Sequence, residues 1–265
     1  MITGTVKTPR GELEYFTFGE GRIPFVILPG LGAKPIVLSA PAIKAAYSCF
    51  AKDFTVYVID RKKALEPDCT LESIADDTAG AMRALGIENA CVFGASMGGM
   101  IAQHLAIKYP GLVRALALGS TAARVQPGML TLGEDWLRLA EAHDRDTLLR
   151  STIDNLYSET TKRLYGEAML RMFDEVTDSD LDRFCIQMRA IMGLNTYDRL
   201  DSIACPAFVV GVEGDRVVTG EASDELAEAL CCDQYMYGAE FGHCVFDEAP
   251  DYKERLLNFF VGIMR

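Results

Sequence analysis

The fold of this chain is decided by residues 92–103, VFGASMGGMIAQ, which pass from an apolar strand-like segment into a helix-like one. Ser96 stands at the change, with a glycine two positions before it and another two positions after it. A strand that turns this sharply into a helix forces its central residue into a strained conformation with positive φ, where neighbouring side chains would collide. The motif predicts that Ser96 projects from the carboxyl edge of a sheet, with the backbone N–H of Met97 directed at the same place.

The alternative interpretation of this motif is an ordinary structural turn, since G-x-S-x-G also arises by chance. The flanking sequence argues against that alternative, because the motif follows the apolar run ACVF and precedes MGGMIAQHLAI. Ser96 is therefore a candidate nucleophile. A serine hydroxyl is a poor nucleophile by itself, so the chain must also supply a base.

The first half of the chain alternates between strand-like and helix-like patterns. The continuous apolar runs FVIL, VYVI and ALAL are typical of parallel strands covered on both faces, whereas the first two strands alternate as a half-exposed hairpin does. Strands separated by helices indicate βαβ units and a parallel sheet. The predicted strands are 2–8, 13–19, 24–30, 54–60, 89–94 and 113–120, and the predicted helices are 71–86 and 98–109.

The pattern changes over residues 122–203, where amphipathic helical stretches follow one another without a convincing strand. The α/β alternation then returns. We therefore predict an α/β core domain formed by residues 1–121 and 204–265, interrupted by a helical cap of residues 122–203. The predicted cap helices are 133–144, 146–157, 159–174 and 179–193, the last with an N-cap at Asp178 or Ser179; the later elements are strands 206–213 and 233–238 and helices 220–230 and 249–263.

Composition narrows the possible partners and the compartment. The chain has 265 residues, 49% hydrophobic content and a net charge of −12, which argues against nucleic acid or an anionic membrane surface as partner. It shows neither a signal-peptide pattern nor an apolar run of 18 residues. The eight cysteines form no C-x-x-C pair and have no metal-ligand spacing with the histidines, so we expect free thiols in the cytoplasm. The oligomeric state stays open.

Of the three histidines, His243 is the candidate base for Ser96. It stands in EFGHCVFDEAP, a glycine-flanked loop after the last predicted strand and before the last predicted helix. A loop there reaches the carboxyl edge of the sheet. His104 lies on the helix after Ser96, where a packed or surface role is expected, and His143 lies among charged neighbours in the helical insertion, where solvent exposure is expected.

The base needs a carboxylate that holds its tautomer and stabilises the imidazolium. Asp215 in VVGVEGDRVV follows the penultimate predicted strand, again at the carboxyl edge. Glu213, closer to the strand, and Asp224, within a helical pattern, are nearby rivals. A strand-end aspartate that only caps a turn is the structural alternative, and we expect the orienting role for Asp215.

Ser96, Asp215 and His243, in that chain order and on this strand order, resemble the α/β-hydrolase superfamily with a helical cap. The resemblance covers essentially the whole chain. Within the superfamily, the chain is similar to the cofactor-independent esterase, lactonase and C–C-bond hydrolase branch. A close match to haloalkane dehalogenases and soluble epoxide hydrolases is excluded, because those families carry an aspartate where this chain has Ser96. The resemblance implies an oxyanion hole of two backbone N–H groups, which here belong to Met97 and, in LPGLGAKP, to Leu31.

The family often has His-Gly in that second loop, where this chain has Pro29-Gly30, so the hydrogen bonds that support the loop are in question. The loop matches neither G-x-G-x-x-G nor a P-loop, and phosphate binding is discarded. Asp60 and Arg61 end the fourth predicted strand and face the same side, where a structural ion pair is preferred over a substrate contact. Four methionines lie at helical spacing in the cap and are candidates for the pocket roof, with ordinary core packing as the alternative: Met169, Met172, Met188 and Met192.

The expected function is hydrolysis of a small, mostly apolar ester, lactone or related acyl compound. Ser96 attacks the carbonyl, His243 takes the proton, Asp215 orients His243, and Leu31 and Met97 hold the oxyanion. This chemistry needs no metal and no organic cofactor, and a small-molecule substrate is the expected partner. An acyltransferase and a C–C-bond hydrolase remain alternatives, because both would use the same residues. A hydrolase-like ligand receptor with slow or absent turnover is a third alternative, over which the complete set of three residues favours catalysis.

Overall fold

A single sheet runs through the computed structural model of the chain, which describes residues 1–172 and 176–264. In the described residues eight strands pair in the order β1-β2-β4-β3-β5-β6-β7-β8. The strands are β1 (Ile2–Thr8), β2 (Gly11–Phe18), β3 (Ile23–Leu28), β4 (Phe54–Lys62), β5 (Ala90–Ala95), β6 (Val113–Gly119), β7 (Ala207–Val212) and β8 (Asp233–Tyr237). The helices are α1 (Ala40–Ala46), α2 (Leu71–Ala84), α3 (Met97–Lys108), α4 (Pro127–Glu141), α5 (Arg145–Leu156), α6 (Glu159–Met172), α7 (Asp178–Met192), α8 (Gly220–Leu230), α9 (Val245–Glu248) and α10 (Tyr252–Ile263).

The predicted α/β class with a mostly parallel sheet is confirmed. Strands β1 and β2 form an antiparallel hairpin, β2 pairs antiparallel with β4, and every pair from β3 to β8 is parallel. The antiparallel strands are those with alternating polarity, and the parallel ones are the continuous apolar runs. The difference follows from burial, since helices cover both faces of the parallel part.

Two hydrophobic layers hold the sheet between its helices. Along β3, Phe25 and Ile27 point into one layer, with α1 and α10, while Val26 and Leu28 point into the other, with α2, α3 and α8. Successive strand residues face opposite sides, so both layers need apolar residues and the strand reads as a continuous apolar run. In the first layer the ring of Phe25 lies 4.5 Å from that of Phe50, between centroids.

Several local predictions need correction. Helix α1 was not predicted, because it has seven residues and buries only Ala40, so it carries too little periodicity to be recognised. The cap of α7 is Thr177, whose hydroxyl accepts from the N–H of Asp180 in a reciprocal capping box, so Asp178 and Ser179 are helical residues. The predicted final helix 249–263 begins three residues later, as α10, and the short helix α9 before it was not predicted. Residues 173 and 174 of the predicted helix 159–174 lie outside the described residues.

Helices α4–α7 follow β6 and precede β7, and we call them the helical segment. Its two ends lie side by side: the N–H of Thr196 donates to the carbonyl of Ala123 at 2.7 Å, and the N–H of Val125 donates to that of Leu194 at 3.3 Å. The segment has a cluster of buried hydrophobic side chains that includes Trp136, Leu148 and Phe184. Within the described ranges, no helix combines the length and the apolar composition that crossing a membrane requires.

Candidate active site

Ser96 stands between the end of β5 and the start of α3, in the conformation that the motif predicts. Its φ is +53°, a region that costs a non-glycine residue about 1–3 kcal/mol. The two flanking glycines are required by space. A Cβ at Gly94 would lie 2.3 Å from the carbonyl oxygen of Gly98, and a Cβ at Gly98 would lie 1.9 Å from that of Leu28. Close backbone approach therefore explains the G-x-S-x-G pattern here.

The structure brings Asp215 and His243 together. The Nδ1 atom of His243 lies 2.8 Å from Oδ2 of Asp215, and both residues are buried. The other carboxylate oxygen of Asp215 accepts from the N–H groups of Val217 and Val218 at 2.8 and 2.9 Å. Burial by itself would raise the pKa of Asp215, but the charge and hydrogen bond of His243 and these two N–H groups hold it below the ordinary value.

The rival residues lie elsewhere. Glu213 and Asp224 are exposed, and Asp224 accepts a hydrogen bond from Gln234. His104 is buried inside α3, and His143 is half-exposed between α4 and α5, near Asp178. The sequence expectations for these four residues agree with the positions that the structure gives them.

Ser96 and His243 line the same cavity, whose volume is about 170 Å³. The helical segment supplies most of its roof, through apolar side chains such as Trp136, Leu148 and Phe184. The described residues that line it include no aspartate, glutamate, lysine or arginine. The polar atoms of the roof are used within the roof: the Thr152 hydroxyl donates to the carbonyl of Leu149 at 2.9 Å, and Trp136 Nε1 donates to the Ser151 hydroxyl at 3.0 Å. The cavity therefore offers its polarity at the serine and histidine end.

The loop after β3 passes beside Ser96. A Cβ at Gly30 would lie 3.5 Å from the Cβ of Ser96, and Leu31 lines the cavity. Met97 is the first residue of α3, so its N–H belongs to the helix terminus, where backbone donors have no partner within the helix. Of the two residues named from the sequence, Met97 thus adjoins the serine in the chain and Leu31 lines the same cavity.

Asp60 and Arg61 support that loop instead of facing the cavity. Arg61 Nη1 donates to the carbonyl of Pro29 at 2.9 Å, and Asp60 Oδ2 accepts from the N–H of Ile36 at 2.8 Å, so the two neighbours hold both ends of the loop. Gln187 of α7 donates to the carbonyl of Gly32 at 3.1 Å, in the middle. This answers the question raised by Pro29: the loop has side-chain support. The ion pair itself is 3.6 Å long and buried.

The four candidate methionines have different positions in the structure. Met188 lines the cavity, whereas Met192 is partly buried against the segment's hydrophobic cluster and Met169 is half-buried on α6. Neither of the latter two is among the described lining residues, and the side chain of Met172 lies outside the described residues. Sequence reasoning missed the aromatic roof residues Trp136 and Phe184, although each stands on the apolar face of an amphipathic helix.

Ser96 stands on a strained strand-to-helix turn, and the buried Asp215–His243 pair lies at the same apolar cavity. This combination is typical of hydrolases built on a parallel sheet with helices on both faces. The profile of the alpha/beta hydrolase family matches residues 25–252, and this chain belongs to that family.

Similar proteins have several activities. A serine O-succinyltransferase of Xanthomonas oryzae is 44% identical over 62 residues, which are 23% of this chain and 16% of the length of that relative. The 3-oxoadipate enol-lactonase 1 of Acinetobacter baylyi is 22% identical over 199 residues, covering 74% of this chain and 71% of that protein. The crystal structure of the enol-lactonase of Burkholderia xenovorans superposes with a TM-score of 0.83 at 21% identity, covering 97% and 100% of the two chains.

Proposed function

We propose that this protein is a serine hydrolase that cleaves a small, mostly apolar carboxylic ester or lactone through an acyl-enzyme. One observation carries the proposal: the strained Ser96 and the buried His243, itself bonded to Asp215, line one apolar cavity. A nucleophile, a base and an orienting carboxylate at one cavity are the parts that acyl transfer needs.

In the proposed reaction, the Ser96 hydroxyl oxygen bonds to the substrate carbonyl carbon while its proton passes to Nε2 of His243. Asp215 accepts from Nδ1–H, which leaves Nε2 free for that proton and stabilises the imidazolium. The N–H groups of Leu31 and Met97 hold the carbonyl oxygen as it becomes negative. The ester C–O bond then breaks, and His243 returns the proton to the leaving alcohol. A water molecule then gives a proton to Nε2 of His243, and its oxygen bonds to the acyl carbon. The bond between that carbon and the Ser96 oxygen breaks, which releases the acid, and His243 returns the proton to Ser96.

The cavity walls define the substrate class. Burying an ionised carboxylate among apolar side chains without a cation costs several kcal/mol, so the substrate groups beyond the carbonyl are neutral. A cavity of about 150 Å³ lined by aliphatic and aromatic residues takes a benzene molecule, and this one has a similar volume. A phenyl-sized or short alkyl group therefore fits. A lactone ring is included because two similar proteins are named as enol-lactonases.

Residues 122–203 act as a cap over the site in this proposal, which excludes water and selects the substrate. Roof residues such as Trp136 and Phe184 support that role, and so do the adjacent ends of the segment at Ala123 and Thr196.

All eight cysteines are free in the described residues, which supports a reducing compartment such as the cytoplasm.

Acyl transfer is a second candidate, favoured by the local match to a serine O-succinyltransferase. The same acyl-enzyme would then be attacked by an alcohol instead of water. Adding a primary alcohol during ester turnover separates the two: a transferase forms the new ester at millimolar acceptor, whereas a hydrolase releases mainly the free acid.

The test of the proposed function is labelling with a fluorophosphonate, followed by mass spectrometry of the labelled peptide. Ser96 should carry the label, and Ser96→Ala should not be labelled. A panel of p-nitrophenyl esters and simple lactones then measures turnover, with monosuccinate esters as the charged comparison. Labelling of another residue, or no turnover of any neutral ester or lactone, would contradict the proposal.

A further inference from the structure

The loop that carries His243 touches the helical segment at the junction of α5 and α6. The N–H of Cys244 donates to the carbonyl of Leu156 at 2.9 Å. Gly242 lies so close to the same junction that a Cβ there would be 2.7 Å from the Leu156 carbonyl oxygen. The residues on either side of His243 are therefore in backbone contact with the segment that roofs the cavity.

Glu248 completes this contact with its carboxylate. One oxygen, Oε2, accepts from the N–H of Gly242 at 2.7 Å. The other, Oε1, accepts from the N–H of Ser158 at 2.9 Å and from the Ser158 hydroxyl at 2.7 Å. One side chain thus joins the backbone just before His243 to the residue that links α5 and α6.

The carboxylate form of Glu248 is the form that these contacts select. Burial by itself would raise its pKa, but the hydrogen bonds from Thr161, Gly242 and Ser158 hold the pKa below the ordinary value for glutamate. Hydrogen bonds to an ionised acceptor are shorter and stronger than neutral ones, as the 2.7 Å distances indicate.

We propose that Glu248 is a positioning residue for His243, which fixes the backbone of the histidine loop and ties it to the helical segment. This inference rests on the proposed function. Asp215 orients the imidazole through the ring, whereas Glu248 holds the main chain from which the ring projects. The base needs both constraints, because a displacement of about 1 Å at a reacting group can reduce the rate about 100-fold.

Glu248→Gln is the sharpest variant, because it keeps the shape of the side chain. A carboxylate accepts on both sides, whereas an amide has one accepting oxygen and one donating NH₂ group, which would face either Gly242 N–H or Ser158 N–H. We expect kcat for a p-nitrophenyl ester to fall about 10- to 100-fold, with KM within twofold of the parent. The matched control is Glu240→Gln, the same change at an exposed residue two positions before Gly242, which should leave kcat unchanged.

Repeating Glu248→Gln in a His243→Ala background distinguishes positioning of His243 from a merely structural role. The hydrolysis rate is measured at a temperature well below unfolding. Without the imidazole there is nothing to position, so the residual hydrolysis of an activated ester should change by less than twofold. Should Glu248→Gln fail to fold, Ser158→Ala is the milder variant, and it should lower kcat about threefold in the parent and not in His243→Ala.

The inference is overturned if kcat of Glu248→Gln stays within twofold of the parent, or if it falls by the same factor in both backgrounds. Failure of the proposed function has a different signature, because His243→Ala itself would then keep the parent activity.

Discussion

Large side chains are buried both in the sheet with its packed helices and in the helical segment, but their surroundings differ between these two regions. Around β3, the rings of Phe25 and Phe260 lie 5.2 Å apart between centroids and are fully enclosed by other side chains. In the segment, Trp136 and Phe184 are only 4% and 5% exposed, yet they line a cavity of about 170 Å³. Burial from solvent therefore reflects close packing in the first region, whereas in the second it is compatible with a place on the wall of a cavity. The same substitution should have different consequences in the two.

The polar residues divide in the same way. Ser96, Asp215 and His243 follow strands of the sheet, whereas the segment contributes apolar walls and the supporting contacts of Gln187 and Ser158. We expect chemistry to depend on the sheet edge and substrate choice to depend on the segment.

The largest effect is expected at the sheet edge. Ser96→Ala should reduce kcat by a factor on the order of 10⁴–10⁶, because the nucleophile is lost while binding remains. Its melting temperature should stay close to that of the parent, since alanine occupies the same strained turn. Steady-state kinetics with p-nitrophenyl butyrate and a thermal scan measure both quantities. A variant with more than a tenth of the parent rate would rule Ser96 out as nucleophile.

A matched pair of Phe→Ala changes tests the comparison of burial. Phe260→Ala should lower the free energy of unfolding by about 3–5 kcal/mol, because it opens a void among packed rings, and should leave the ratio of kcat/KM between esters unchanged. Phe184→Ala enlarges an existing cavity, so it should cost about half as much stability and favour bulkier acyl groups. Urea unfolding measures the loss of stability in each variant, and an assay with two esters measures the ratio of kcat/KM. Equal stability losses with an unchanged ratio in both variants would contradict the distinction.

A smaller effect is expected within the segment. Met188→Ala should change the ratio of kcat/KM for short and long acyl chains by about fivefold, on the order of 1 kcal/mol of differential binding, because Met188 lines the cavity. Met192→Ala, one helical turn further along α7, is the control and should leave the ratio within a factor of about 1.5. If Met192→Ala moves the ratio as much as Met188→Ala, the position of the cavity wall is wrong.

The smallest effect concerns His104, which lies in the packed layer of the sheet. Burial lowers its pKa, an effect that the nearby Glu72 carboxylate partly opposes. The unfolded chain, where histidine titrates near pH 6.5, therefore binds a proton at a pH at which folded His104 does not. The stabilisation is complete above that pH and is lost as the pH falls through the lower folded value.

Urea unfolding of the parent and of His104→Gln at pH 7.5 and 5.5 measures this contribution. The free energy of unfolding should decrease more in the parent than in the variant, because other titrating groups cancel in the difference. Parallel decreases in the two proteins would remove His104 as a contributor.

Much of the fold could be predicted because its signals are local. Continuous apolar runs identified the parallel strands, and a glycine two positions on either side of Ser96 identified the turn after β5. Asp215 and His243 were selected by their place after β7 and β8, since parallel strands bring their carboxyl ends to one edge of the sheet. Helix α1 could not be predicted, because seven residues with a single buried position show almost no hydrophobic periodicity.

The sequence by itself thus determined the chain order of the strands and of the longer helices, the turn at Ser96 and the choice of residues for the sheet edge. Only the tertiary structure decided that Met188 and Trp136 face the cavity, that Arg61 supports the loop at Pro29 and that Glu248 reaches Ser158, 90 residues away. The physical reason is one of range. Backbone preference and hydrophobic period act over a few residues, whereas the partner of a side chain depends on how whole elements pack, and that packing is shared by residues far apart along the chain.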